Sequence, residues 1–237
     1  MHMTEVNQLI AYARDYNIEI TEEQASILIK HLDLVIKKNE SINLTRILSR
    51  EDALVLHLLD SIVLFKYFPE LDGKYMDMGT GAGFPGISLS YLSARESVLI
   101  DSVAKKIKCV NEFIDELGLQ NATGCAVRLE EYASKHKNEF ACITARALAS
   151  LPVLIEYAAP FLCKGGYLVL TKGNPDEKEL ESGSKAAKIC GMKLIQEDSF
   201  DLPNNLGHRE ILVYQKVANP SIKLPRQTGK AVHDPLA

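Results

Sequence analysis

The stretch MDMGTGAGFPG, Met76 to Gly86, decides how the rest of the chain is read. Glycines 79, 81, 83 and 86 follow closely on Asp77. Working upstream, residues 74–78 read as a short apolar strand; downstream, 85–94 reads as a helix. A glycine-rich turn between strand and helix lets a ligand approach bare backbone and permits turns that side chains would block. Gly81, Gly83 and Gly86 fit the G-x-G-x-x-G pattern of adenosine-carrying cofactors. A strand predicted at 97–101 ends in Asp101, 20 residues past Gly81, where a carboxylate can accept both ribose hydroxyls.

Beyond this unit the pattern keeps alternating. Strands are predicted at 122–127, 140–144 and 166–171, with helices at 103–118, 150–162 and 176–188. Such alternation implies an α/β fold with a parallel sheet covered on both faces. Met192–Phe200 and Glu210–Val217 read as two final strands joined by a short polar loop, and they should pair antiparallel. Residues 1–68 form a helical extension. Thr21-Glu22-Glu23-Gln24 is a capping box, and Ala25, Leu28, Ile29, Leu32, Val35 and Ile36 make one apolar stripe behind it. Ser49 caps another helix carrying Leu54, Leu58, Ile62 and Phe65, and the polar stretch 39–45 is a loop. The expected division is 1–68 helical extension, 69–217 cofactor-binding domain and 218–237 basic tail.

Composition narrows the function. A formal net charge of −4 gives no global basic field, so any nucleic acid must be met by a local patch. The five cysteines are scattered without a C-x-x-C, which points to a reduced, cytoplasmic protein with no disulfide framework and no metal site. No apolar run is long enough for a membrane span, and the N-terminus lacks a signal-peptide pattern.

Adenosine is common to NAD and S-adenosylmethionine, and three features favour the second. Asp77 begins Asp-x-Gly-x-Gly-x-Gly, a helical segment precedes the glycine loop, and the sheet closes with an antiparallel hairpin. Asp77 either serves the amino-acid end of the cofactor indirectly or caps the loop's own N–H groups. An NAD-dependent oxidoreductase and a non-enzymatic nucleotide-binding regulator are the rival readings. No Tyr-x-x-x-Lys proton relay accompanies the loop to support the first.

Six segments then occur in one order: NLTRI (43–47), HLLDS (57–61), DMGTGAGFPG (77–86), RLEEY (128–132), ARALASL (145–151) and LTKG (170–173). Together they resemble the glucose-inhibited division protein B family, the bacterial 16S ribosomal RNA guanine-N7 methyltransferases. The likeness runs from about residue 20 to 217, and the tail LPRQTGK (224–230) is similar to that of some members. Met78, Ala82 and Phe84 are mild departures at variable places of the glycine loop. The resemblance implies a seven-stranded Rossmann-like class I methyltransferase sheet, S-adenosylmethionine as cofactor and 16S ribosomal RNA as partner, free or within a small-subunit particle. It implies cofactor contacts at Gly79, Phe84, Leu129, Glu130 and Arg146, which join Gly81, Gly83 and Asp101 from the loop itself. Residues after the third strand can meet adenine through backbone N–H groups while Leu129 packs on the ring. Phe84 covers the cofactor or packs in the core.

What is missing narrows the target atom. An Asn/Asp-Pro-Pro-aromatic motif for exocyclic amines would follow the fourth strand, where Ala145-Arg146-Ala147 stands. None of the cysteines follows a proline, as a pyrimidine-C5 nucleophile often does. Guanine N7 needs neither, because its lone pair carries no proton. Arg146 is the candidate catalytic residue, stacking on guanine, meeting its O6 or pairing with the cofactor carboxylate; the alternative is an ion pair with Glu130 or Asp101. Asn43, His57, Asp60, Lys172 and Arg226 are the candidate RNA contacts, with packing or capping the competing role for His57. Lys223, Arg226 and Lys230 make the tail basic; they are expected to lie outside the cofactor cleft, meeting phosphates or solvent.

Overall fold

The computed structural model describes residues 2–237. Helices α1 (His2–Asp15) and α2 (Glu22–Asn39) open the chain. The capping box at the start of α2 is present in full: Gln24 N–H donates to Thr21 Oγ1 at 3.1 Å and Thr21 N–H donates to Gln24 Oε1 at 2.9 Å. Residues 50–67 then form one composite helix. It begins as α3 (Arg50–Ala53), widens to a π-helical turn over Leu54–Leu59, returns as α4 (Asp60–Ile62) and tightens to a 3₁₀ turn over Val63–Tyr67. The predicted apolar period of 54, 58, 62 and 65 does not reveal the π turn, because its side chains still face the core.

The remainder alternates β1 (Lys74–Met78), α5 (Gly86–Ser93), β2 (Ser97–Asp101), α6 (Ala104–Leu117), β3 (Ala122–Ala126), α7 (Leu129–Ala133), β4 (Phe140–Arg146), α8 (Leu151–Ala158), β5 (Leu162–Lys172), α9 (Glu177–Ile189), β6 (Met192–Asp201) and β7 (His208–Lys216). A last short helix, α10 (Lys230–His233), lies in the tail. The seven strands form one sheet in the order β3-β2-β1-β4-β5-β7-β6. Strands β1 to β5 run parallel, and β7 pairs antiparallel with both β5 and β6. The alternation and the closing hairpin predicted from sequence are therefore present. Strand β5 starts earlier than expected, because Leu162 pairs with Phe140 ahead of a register shift. Two short helices, α7 and α10, carry too few residues to show an apolar period.

The order reverses at β1, which pairs with β2 on one side and β4 on the other. In open α/β sheets ligands bind outside the carboxyl ends of strands at this switch point. Two apolar layers flank the sheet. One joins Leu9, Leu28 and Leu59 of the extension to Ile87, Val110 and Val213 in a continuous core. The extension thus shares one core with the sheet, across the boundary expected near residue 68. The opposite layer packs α8 and α9 against Met76, Ile143 and Leu170, and it includes Leu224 of the tail.

Candidate active site

Two clefts open at the carboxyl edge of the sheet, and residues 146–149 border both. The first, of about 660 Å³, is lined by Gly79, Asp101, Leu129, Glu130, Leu148 and Tyr157, among others. The second, of about 890 Å³, is lined by His57, Asp60, Arg146, Thr171, Lys172 and Arg209, with Ile47 and Leu56. Arg146 and Ala147 face the second cleft; Leu148 and Ala149 face the first.

The first cleft is built largely from backbone. Gly79, Gly81 and Gly83 have φ values of 74°, 58° and 96°, a region that favours glycine. Their needs differ. A Cβ on Gly79 would stand 2.7 Å from Leu148, and one on Gly83 would stand 2.7 Å from Ile87. Around Gly81 the space is open. Gly83 packs closely against Ile87 and, like Gly81, does not line the first cleft. Asp101 holds the turn: its Oδ2 accepts from Gly81 N–H at 3.1 Å and its Oδ1 accepts from Val103 N–H at 2.8 Å. One bond per oxygen leaves lone pairs free for ribose hydroxyls.

Asp77 is fully buried and resolves toward the capping role. Its Oδ2 accepts from Gly86 N–H at 3.0 Å and its Oδ1 from Thr144 Oγ1 at 2.8 Å. Burial lifts its carboxyl to about 6, against the opposing pull of these bonds. Gly86 is required here, because a Cβ would come within 2.8 Å of the Asp77 carboxylate.

Phe84 does not line the first cleft. Its ring stacks on His57, centroids 4.6 Å apart at 6°, and lies 4.3 Å from His31. It is core, the alternative weighed from sequence. His31, unremarked in the sequence, is fully buried, with Nε2 3.1 Å from Ala82 O. Burial lowers both histidines to about 3, and the nearby Arg146 charge assists at His57. Both rings are therefore neutral at physiological pH.

The second cleft is built from side chains. Asp60, on the first turn after the π segment, is 3% exposed and bridges two guanidinium groups. Its Oδ2 accepts from Arg146 Nη1 at 3.0 Å and its Oδ1 from Arg209 Nε at 2.8 Å. Arg146 also donates to Leu56 O at 2.8 Å. The Arg146 partner is thus Asp60, and not Glu130 or Asp101 as the alternative reading had it. Arg209 was missed: it sits at the start of β7, 149 residues from Asp60, with no local signal. Lys172 lines the cleft but is engaged, donating to Ala149 O at 3.1 Å and pairing with Glu179 at 2.7 Å. His57 Nε2 lies 2.8 Å from Thr45 Oγ1. Its Nδ1 and the Oγ1 of Thr171 are buried polar atoms without a partner.

Asn43 is exposed and lines neither cleft; Ile47 of the same loop does instead. Arg226 is also misplaced by the sequence reading. Its guanidinium grips the buried Glu156 at 2.7 and 2.5 Å, so it is an internal anchor and not a free phosphate contact. The tail is docked: Gly229 N–H donates to Glu130 Oε1 at 2.8 Å, and Val232 lines the first cleft. Lys223, Arg226 and Lys230 themselves stay out of that lining, as expected; Val232 is the tail residue that enters it. Among the described residues no cluster of three or more His, Cys, Asp or Glu could hold a metal, and no helix is long and apolar enough to cross a membrane.

The family model described as GidB, rRNA small subunit methyltransferase G, matches residues 24–206. The chain belongs to this family. A ribosomal RNA small subunit methyltransferase G from Alkaliphilus oremlandii is 36% identical over 229 residues, covering 94% of this chain and 95% of that one. The Clostridium tetani relative of the same name is 35% identical over 232 residues, covering 94% and 95%. Among solved structures, a geranyl diphosphate methyltransferase in complex with SAM superposes with TM-score 0.54 at 11% identity, covering 67% of this chain and 85% of that one. A ribosomal protein L11 methylase from Lactobacillus delbrueckii subsp. bulgaricus gives TM-score 0.54 at 18% identity, covering 67% and 77%. These structural likenesses establish the class I methyltransferase fold. The GidB-family match extends to the N-terminal helices from residue 24 onward, beyond the shared sheet.

Proposed function

We propose that the protein transfers a methyl group from S-adenosylmethionine to N7 of a guanine in 16S ribosomal RNA. The observation that carries this reading is the junction of two unlike clefts at residues 146–149. The first offers the ribose acceptor Asp101, bare backbone at Gly79 and an apolar wall at Leu129, a donor and acceptor set that suits adenosine. The second sets apolar Ile47 and Leu56 beside the cationic Arg146, a lining that suits a purine base. When bound, the cofactor supplies an electrophilic sulfonium methyl.

The chain's own residues orient and do not exchange protons. Arg146 is fixed by Asp60 and Leu56 through Nη1, which leaves its other donors for guanine O6. His57, whose Nε2 lies 2.8 Å from Thr45 Oγ1, and Thr171 contribute the uncharged polar part of the lining. N7 attacks through its own lone pair, so transfer requires that no donor occupy it. Holding two reactants in line can supply several kcal/mol of the barrier reduction. The base must leave its stack to enter, which favours an unpaired or extruded nucleotide.

The direct test is mass mapping of modified guanines in 16S ribosomal RNA from cells with and without this gene. Loss of one 7-methylguanine is expected; an unchanged modification pattern would overturn the reading. The purified protein with tritiated S-adenosylmethionine then decides between naked RNA and small-subunit particles as the substrate. Titration with NAD serves as the control for the oxidoreductase alternative.

A further inference from the structure

We infer that the C-terminal segment, residues 224–234, is a wall of the cofactor site at its adenosine end. This rests on the cofactor reading above and adds an element to it. Three observations carry it. Leu224 and Ala231 are buried, at 6% and 2% exposure, so the segment is packed onto the domain. Two polar fastenings hold it: Arg226 forks onto the buried Glu156 of α8, and Gly229 N–H donates to Glu130 of α7. Gly229 has φ of 82°, which turns the chain so that α10 starts beside the cleft. Finally, Val232 stands in the cleft lining with Asp101, Val127, Leu129 and Tyr157, while 55% exposed.

An apolar side chain left half open at the rim of a cleft is the expected state when a flat apolar ligand completes its burial. Asp101 marks the ribose end and Leu129 the ring end of that cleft, so the group that covers Val232 is adenine. Glu130 then has a defined task. Its Oε1 accepts from the Gly229 amide, so it positions the tail as well as lining the cleft.

The test is calorimetric binding of S-adenosylhomocysteine and of adenosine to the full chain. Val232→Ser should weaken both ligands by the same factor, on the order of fivefold, because methyl contacts with the ring are lost. A chain ending at Gly229 keeps Leu224 and Arg226 and should weaken both further. Circular dichroism and a thermal melt check that each variant is folded. Hydrogen exchange should show amides of residues 229–234 gaining protection when S-adenosylhomocysteine binds the wild type. Unchanged affinity in both folded variants would overturn the inference. A loss for S-adenosylhomocysteine without a loss for adenosine would move the wall to the methionine end and overturn it as stated. If the wild type binds neither ligand, the cofactor reading itself fails, which is a separate outcome.

Discussion

The clefts proposed for the cofactor and for guanine share a loop but are made in opposite ways. The first is backbone held by two carboxylates from adjacent strands: Asp77 ends no side chain in the cleft, and Asp101 ties Gly81 to Val103. The second is a triad of charges gathered from the composite helix, β4 and β7. Backbone sites tolerate the loss of one contact, because neighbouring N–H groups and the turn remain. A buried charge triad does not, because removing one member leaves the others uncompensated.

That contrast orders the predictions. Asp60→Ala should have the largest effect, since Arg146 and Arg209 would then face each other across a buried gap. Breaking a buried pair costs about 3–5 kcal/mol, read as a shift in the urea midpoint. S-adenosylhomocysteine affinity should survive in whatever remains folded. A stability loss under about 1 kcal/mol would mean the triad is solvent-screened like a surface pair.

Asp101→Ala should do the reverse. Affinity for S-adenosylmethionine should fall tenfold or more, since charged hydrogen bonds are worth about 1.5–3 kcal/mol, while stability changes less than for Asp60. Calorimetry showing unchanged affinity in the folded variant removes Asp101 from the cofactor site.

His31 and His57 titrate near 3 in the folded chain because burial disfavours their charged forms. In the unfolded chain they protonate near 6.5. The unfolded state therefore binds more protons between these values, and stability is lost as pH falls below about 6.5. Each ring contributes up to about 1.4 kcal/mol per pH unit. Asp77 opposes them. Its folded value of about 6 exceeds its unfolded 3.8, so its contribution is present at low pH and lost as pH rises through that window. His31→Asn should flatten the acid limb of a stability–pH curve, and Asp77→Asn should steepen it. Parallel limbs in all three proteins would show that these groups titrate normally.

The two clefts also differ in how far sequence could reach them. The glycine turn and Asp101 are legible because they lie on one strand–turn–helix unit with fixed spacing. The alternation of strands and the closing hairpin follow from apolar period alone. Arg209 was not legible, because only the antiparallel return of β7 brings it to Asp60. Phe84 was ambiguous for a related reason: its partner rings, His31 and His57, come from the extension, and their proximity depends on how α2 and the π turn pack. The tail misled because Lys223, Arg226 and Lys230 read as a basic run, whereas Glu156, the partner of Arg226, lies 70 residues away.

The smallest expected effect is the most discriminating about mechanism. If N7 is the nucleophile, no side chain gains or loses a proton during transfer, so the guanine cleft should work as a rigid frame. The single-turnover rate, with RNA and cofactor saturating, should then be flat between about pH 7 and 9. His57 stays neutral throughout that range, since its value lies near 3, and Arg146 stays charged. Below pH 7 one group in the supporting structure changes state: Asp77, buried under the glycine turn at about 6. A shallow decline toward pH 6 that Asp77→Asn removes would place the curvature beneath the glycine turn. Arg146→Ala should lower the plateau without bending it, because it removes orientation and not a titrating group. His57→Ala should leave the shape flat and cost rate only through the lost Phe84 stack. A log-linear rise of slope one that His57→Ala abolishes would show base catalysis. That result would move the target from N7 to an exocyclic amine and turn the guanine cleft from a frame into a proton-transfer site.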